Sequence, residues 1–164
     1  MARVFVSLGS NIEREQRIRA AVSEMARCFG ELTLSRVYES EAVGFEGDLF
    51  YNSVVGFDTD MTVEAVAETL DRIEQEQGRL RGSKRFAPRT LDLDLLLYDD
   101  LVVNEPGMQL PRGEINDYAF VLLPLSEIAP DLRHPVSKQR YADLWTAFGD
   151  QGQRLWPVDF EFSG

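Results

Sequence analysis

Thr90-Leu91-Asp92-Leu93-Asp94-Leu95-Leu96-Leu97-Tyr98 is the stretch on which the reading of the fold turns. Side chains alternate between the two faces of a strand, so Leu91, Leu93 and Leu95 are expected on a core face and Asp92 and Asp94 together on the other. A helix precedes it, with Val63, Val66, Leu70 and Ile73 as apolar stripe, Thr62 as cap and Gly78 at the C′ position. Residues 50–57 read as the third strand and residues 32–40 as the second. Before them, Ile18, Val22, Met25 and Phe29 recur at helical spacing between an Asn11 cap and a Gly30 stop, and residues 3–8 form the first strand. The order βαββαβ predicts an α+β protein with a ferredoxin-like core and an antiparallel sheet. Residues 122–128 and 137–148 are expected as later helices, the second with Tyr141, Leu144, Trp145 and Phe148 as its apolar face. They would cover the opposite side, giving helices on both faces, and residues 155–162 offer an edge strand. No repeat or linker divides the chain, so residues 1–164 are expected to form a single domain.

A chain of 164 residues can bury about 70 % of its unfolded surface without a staple. Its 44 % hydrophobic and 27 % charged residues exclude collagen-like and disordered classes. Cys28 is the one cysteine and His134 the one histidine, which excludes an intramolecular disulfide, a cysteine-based zinc site and a paired-histidine metal motif. Cys28 lies beside the first helix's stripe and reads as a small buried apolar group. A net charge of −11 argues against nucleic acid as a partner, since duplex binding needs cations to displace counterions. The longest apolar run, residues 118–125, is broken by Pro124 and falls short of the roughly 20 residues of a membrane span. No membrane association is expected, and with no signal-peptide stretch the cytoplasm is the expected location.

The charge is uneven. Residues 79–89 hold five cations (Arg79, Arg81, Lys84, Arg85 and Arg89) and no carboxylate, against 12 cations and 28 anions elsewhere. A basic island on an acidic protein suits a small anion, although a charge run alone reads more readily as a solvated loop. The strand that follows shifts the balance. Two carboxylates side by side repel, and a hard cation such as Mg²⁺, which keeps water and phosphate oxygens in its shell, offsets that cost. Asp-x-Asp after an arginine-rich loop is what metal-assisted transfer of a phosphate group requires. The chain has neither the P-loop pattern nor a kinase-type glycine loop.

The segment Arg85-Phe86-Ala87-Pro88-Arg89-Thr90-Leu91-Asp92-Leu93-Asp94-Leu95-Leu96 resembles the signature of the 6-hydroxymethyl-7,8-dihydropterin pyrophosphokinase family of folate biosynthesis. The likeness continues in Ser7-Leu8-Gly9-Ser10-Asn11, in Tyr51-Asn52, in Gln77-Gly78-Arg79 and in the run from Phe120 to Pro130. The resemblance implies a ferredoxin-like fold and a reaction in which the pterin's hydroxymethyl oxygen attacks the β-phosphorus of the co-substrate ATP and AMP leaves. Asp92 and Asp94 would hold two Mg²⁺ ions, one shared by the α- and β-phosphates and the hydroxyl, the other by the β- and γ-phosphates. Arg79 and Arg89 match mobile-loop arginines that act on the phosphates, and Phe86 an aromatic position on that loop. Ser40, Val43, Gly44, Phe50, Asn52 and Phe120 match the pterin side, with the ring between Phe50 and Phe120; spacing alone would make both plain core residues. Glu74, Arg81, Phe86, Arg89, Leu95 and Arg112 match the nucleotide side, where Glu74 reads equally as an exposed helix carboxylate. Small-molecule substrates and a monomer are expected.

The pattern departs from the family after Pro111, where a histidine and a tyrosine are usual and Arg112 and Gly113 stand here; Tyr118 replaces a usual arginine. Arg112 restores a cation and Tyr118 removes one. An active enzyme is the leading reading. A paralogue that binds pterin or nucleotide without transfer is the alternative, and a metal-dependent phosphohydrolase is a third.

Overall fold

The computed structural model describes residues 1–41, 49–78, 91–149 and 151–162. Along the chain run β1 (Ala2–Ser10), α1 (Arg14–Phe29), β2 (Thr33–Leu34), β3 (Tyr38–Ser40), β4 (Phe50–Thr59), α2 (Val63–Gly78) and β5 (Asp92–Tyr98). After these come β6 (Val103–Glu105), β7 (Met108–Leu110), α3 (Glu114–Asp117), α4 (Ala119–Ile128), α5 (Tyr141–Phe148) and β8 (Leu155–Pro157).

β1 is central because it is apolar on both faces: Val4, Val6 and Leu8 are buried on one side and Phe5 on the other. It pairs antiparallel with β4 from Ala2 opposite Thr59 to Ser10 opposite Tyr51, and with β5 on its other edge. The six-stranded sheet runs β5-β1-β4-β3-β8, with β2 also on β4, which is the split βαββαβ arrangement. α1 and α2 pack one face, burying Ile18, Met25, Val66 and Ile73 against the sheet. There Phe29 stacks on Phe57 with ring centres 4.2 Å apart. α3, α4 and α5 cover the other face with Ile115, Leu122, Leu125 and Tyr141. The α+β class, the ferredoxin-like antiparallel core and helices on both faces are therefore as expected.

Four local expectations need correction. The second strand is two pieces, because the register slips by one residue between Leu34 opposite Val55 and Tyr38 opposite Asn52. Ser35 fills the slip: its Oγ accepts from the Val54 N–H at 2.9 Å and lies 3.0 Å from the Ser53 hydroxyl. α1 starts after Glu13, in the left-handed region at φ 50, without an Asn11 cap. Thr62, by contrast, caps α2 by accepting from the Ala65 N–H at 3.1 Å. α5 begins at Tyr141, not Ser137, because the His134 side chain closes the preceding turn. Its Nδ1 accepts from the N–H groups of Val136 and Ser137 at 3.1 and 3.2 Å. Cys28 is only half-buried, and the Arg72 guanidinium lies 3.2 Å from its sulfur. The edge strand expected near the end forms as β8 on β3. The β6–β7 hairpin was not read from the sequence.

Two predictions follow from the packing. A Cβ at Gly56 would meet the Phe5 ring at 2.8 Å, and Phe5 lies directly opposite it, buried. Gly56→Ala should therefore destabilise the fold by about 1–3 kcal/mol in urea denaturation. His134 is buried, which holds its pKa below the ordinary 6.5. As pH falls through 6.5 the unfolded chain takes up the proton first, so the stability contributed by the neutral ring is full above that pH and declines below it. Urea midpoints should show the wild type losing ground to His134→Asn as pH drops below 6.5, with no divergence above it.

Candidate active site

The first residues of β5 are fixed by their neighbours. Asp94 pairs with Ser7 and Asp92 with Gly9 on β1. On the outer side of β5, where no strand pairs among the described residues, Glu74 of α2 accepts a hydrogen bond from the Leu93 N–H at 2.8 Å. Glu74 is 8 % exposed, which corrects the reading of it as an exposed helix carboxylate. Its carboxylate grips the backbone between the two aspartates, where an orphaned N–H would be costly.

Alternation holds at this end of the strand. Leu91 and Leu93 join the core under α1 and α2, while Asp92, Asp94 and Leu96 line a cavity of about 260 Å³ on the opposite face. Its floor continues through Ser7 and Gly9 of β1, Phe50 and Asn52 of β4 and Ser40 of β3. Its wall is the segment bearing Glu114, Tyr118 and Phe120. Asn52 is buried and donates from Nδ2 to the Ser40 hydroxyl at 2.6 Å, which fixes the orientation of its amide. Tyr118 and Phe120 stack with ring centres 5.0 Å apart.

A second, more polar cavity of about 220 Å³ lies beside the first, between α2, β5 and the β6–β7 hairpin. Glu74, Leu95 and Arg112 line it, together with Asp92 and Asp94, so the two aspartates border both spaces. Arg112 is drawn toward them: its guanidinium is 3.6 Å from Asp94 and 2.8 Å from Glu114. A carboxylate pair with an adjoining guanidinium, set between an aromatic chamber and a polar one, can bind a flat ring on one side and an anion on the other.

Of the residues singled out from the sequence, Ser40, Phe50, Asn52, Phe120, Asp92 and Asp94 meet in the first cavity, and Glu74, Leu95 and Arg112 in the second. Val43, Gly44, Arg79, Arg81, Phe86 and Arg89 lie outside the described residues. The sequence reading missed Ser7 and Glu114 as lining residues. Ser7 was signalled by its place on the first strand, opposite Asp94 in an antiparallel pair.

Residues 5–130 match the model of the family described as 7,8-dihydro-6-hydroxymethylpterin-pyrophosphokinase. A 2-amino-4-hydroxy-6-hydroxymethyldihydropteridine pyrophosphokinase of Pseudomonas aeruginosa is 39 % identical over 137 residues, covering 81 % of this chain and 84 % of that one. The protein of the same name from Haemophilus influenzae is 33 % identical over 154 residues, covering 92 % and 95 %. Among solved structures, an HPPK-DHPS in complex with substrates aligns with a TM-score of 0.74 over 90 % of this chain at 11 % identity. A wild-type Plasmodium falciparum HPPK-DHPS aligns with a TM-score of 0.69 at 13 % identity. This chain spans 43 % and 44 % of those two longer chains, and the likeness to them bears on the fold. Its match to the family model and to relatives of its own length shows that the chain belongs to the 7,8-dihydro-6-hydroxymethylpterin-pyrophosphokinase family.

Proposed function

We propose that the two cavities divide the substrates of a pyrophosphokinase between them, with the pterin in the aromatic chamber and the ATP polyphosphate in the polar one. The reaction is attack of the pterin's hydroxymethyl oxygen on the β-phosphorus of ATP, with AMP as leaving group. The observation that carries this division is the position of Asp92 and Asp94 on the boundary of both spaces. The reading of the chain as a paralogue that binds without transfer gains no support, since the relatives matched over most of their length are named as pyrophosphokinases.

The donor set fits Mg²⁺. Asp92 and Asp94 offer hard carboxylate oxygens from one face of one strand. No group of three or more metal-binding side chains is found among the described residues, so the pair would hold Mg²⁺ only with phosphate and water completing the shell, the coordination this ion prefers. Two ions are proposed, as the resemblance implies. When bound, Mg²⁺ supplies neutralisation of the polyphosphate charge and alignment of an in-line displacement.

The chain's own groups do the rest. Phe50 and Phe120 line the chamber and would stack on a flat heterocycle there. With one Asn52 N–H spent on Ser40, the other N–H and Oδ1 can meet the amide-like edge of the pterin. Arg112 sits between Asp94 and Glu114 and can exchange one of these for a phosphate oxygen in a bidentate contact. Arg79, Arg81, Phe86 and Arg89 belong to this proposal as the phosphate-facing and closing residues that the resemblance implies. A single domain over residues 1–164, working as a monomer, belongs to it too. No helix among the described residues is long and apolar enough to cross a membrane.

Incubation with ATP, Mg²⁺ and hydroxymethyldihydropterin should yield AMP and the pyrophosphorylated pterin; no AMP at high enzyme concentration would refute the assignment. Asp94→Ala should lower turnover by about a hundredfold or more while leaving pterin affinity, read by calorimetry, nearly unchanged. Surviving turnover would show that the carboxylate does not hold the metal.

A further inference from the structure

The last part of the chain lies beyond residues 5–130 that match the family, yet it is fastened to the aromatic cavity from two sides. On one side β8 pairs with β3, Leu155 opposite Ser40, and the Glu41 N–H donates to the Arg154 carbonyl at 3.5 Å. Ser40 and Glu41 line the cavity floor. On the other side the Gln153 side chain spans the turn between α3 and α4. Its Oε1 accepts from the Ala119 N–H at 2.8 Å, and its Nε2 donates to the Asp117 carbonyl at 2.8 Å. Tyr118 lies between these two anchor points and Phe120 one residue beyond, and both form the cavity wall.

The turn needs this help. Tyr118 is the N-cap residue of α4, extended at φ −126 and ψ 126, and makes no side-chain cap hydrogen bond. The first N–H groups of a helix have no partner within it, and a phenol cannot fold back to accept from them. Gln153 supplies the acceptor from 34 residues further on. The same amide donates to the last residue of α3, so one carboxamide satisfies a donor and an acceptor on either side of Tyr118. Alanine replaces neither contact, and a carboxylate replaces only the acceptor.

We infer that Gln153 is a positioning residue for the pterin pocket: by clasping Asp117 and Ala119 it sets the Tyr118–Phe120 wall against the strand floor that β8 holds from the other side. This rests on the aromatic cavity being the pterin site. In the intact protein without ligand, Gln153→Ala should speed amide hydrogen exchange in residues 117–121 while β1 and β4 stay protected. Loss of two hydrogen bonds should weaken pterin binding about tenfold in calorimetry, with the KM for ATP and kcat held within about twofold. Gln153→Glu keeps the acceptor for Ala119 and loses the donor for Asp117, so its pterin affinity should fall between wild type and Gln153→Ala. Unchanged exchange at residues 117–121 overturns the inference, and so does faster exchange with undiminished pterin affinity. Absence of pterin binding by the wild type would instead refute the pocket assignment, and the exchange rates would then decide alone whether Gln153 holds the turn.

Discussion

Two carboxylates two residues apart on one strand point the same way and repel, and much of this molecule is arranged around tolerating that. Asp92 and Asp94 stand at the start of an edge strand, with β1 on one side and the Glu74 carboxylate gripping the intervening Leu93 N–H on the other. The strand cannot rotate to separate its acids without breaking that grip and exposing Leu93, which is buried under the first two helices. The charge is answered within reach, by Arg112 between Asp94 and Glu114.

The sheet separates two kinds of interior. Under α1 and α2 it is buried and densely aromatic and aliphatic, with Phe29 stacked on Phe57. Under α3, α4 and α5 the packing is complete only toward one end, around Leu122, Leu125 and Tyr141. Toward the other end the same face opens into the chamber floored by Ser7, Asn52 and the two acids. α4 is fastened at its far, C-terminal end by long-range contacts. Glu127 accepts from the Arg36 N–H at 2.7 Å and makes a short hydrogen bond with the Tyr38 hydroxyl, whose pKa burial and that carboxylate push up to about 12. A rigid floor with a separately anchored wall suits a site that must admit a flat ring and then hold it.

The central strands and both long helices were legible because their signals are local: alternation in β1 and β5, a 3.6-residue stripe in α1 and α2, and the Thr62 cap. The break in the second strand was not, because Ser35 replaces ladder contacts with its own hydroxyl, which no periodicity records. The late start of α5 escaped for a similar reason, since the His134 ring ties up the backbone that would have continued the helix. At the site, Asp92 and Asp94 stood out through a long, chemically mixed signature, and Asn52, Phe50 and Phe120 only through the wider family resemblance. The burial of Glu74 and the reach of Gln153 did not, since each acts on backbone 19 and 34 or more residues away through a polar contact that leaves no pattern in sequence.

β5 also carries an offset. Against β1 the register jumps from Leu95 opposite Val6 to Leu97 opposite Phe5, so Leu96 is an extra residue, and both Leu96 and Leu97 are buried in the core beneath α4. The bulge uncouples the two halves of the strand in phase. A core end that packs under α4 and an acid-bearing end that faces a chamber thus share one strand, each in its own phase.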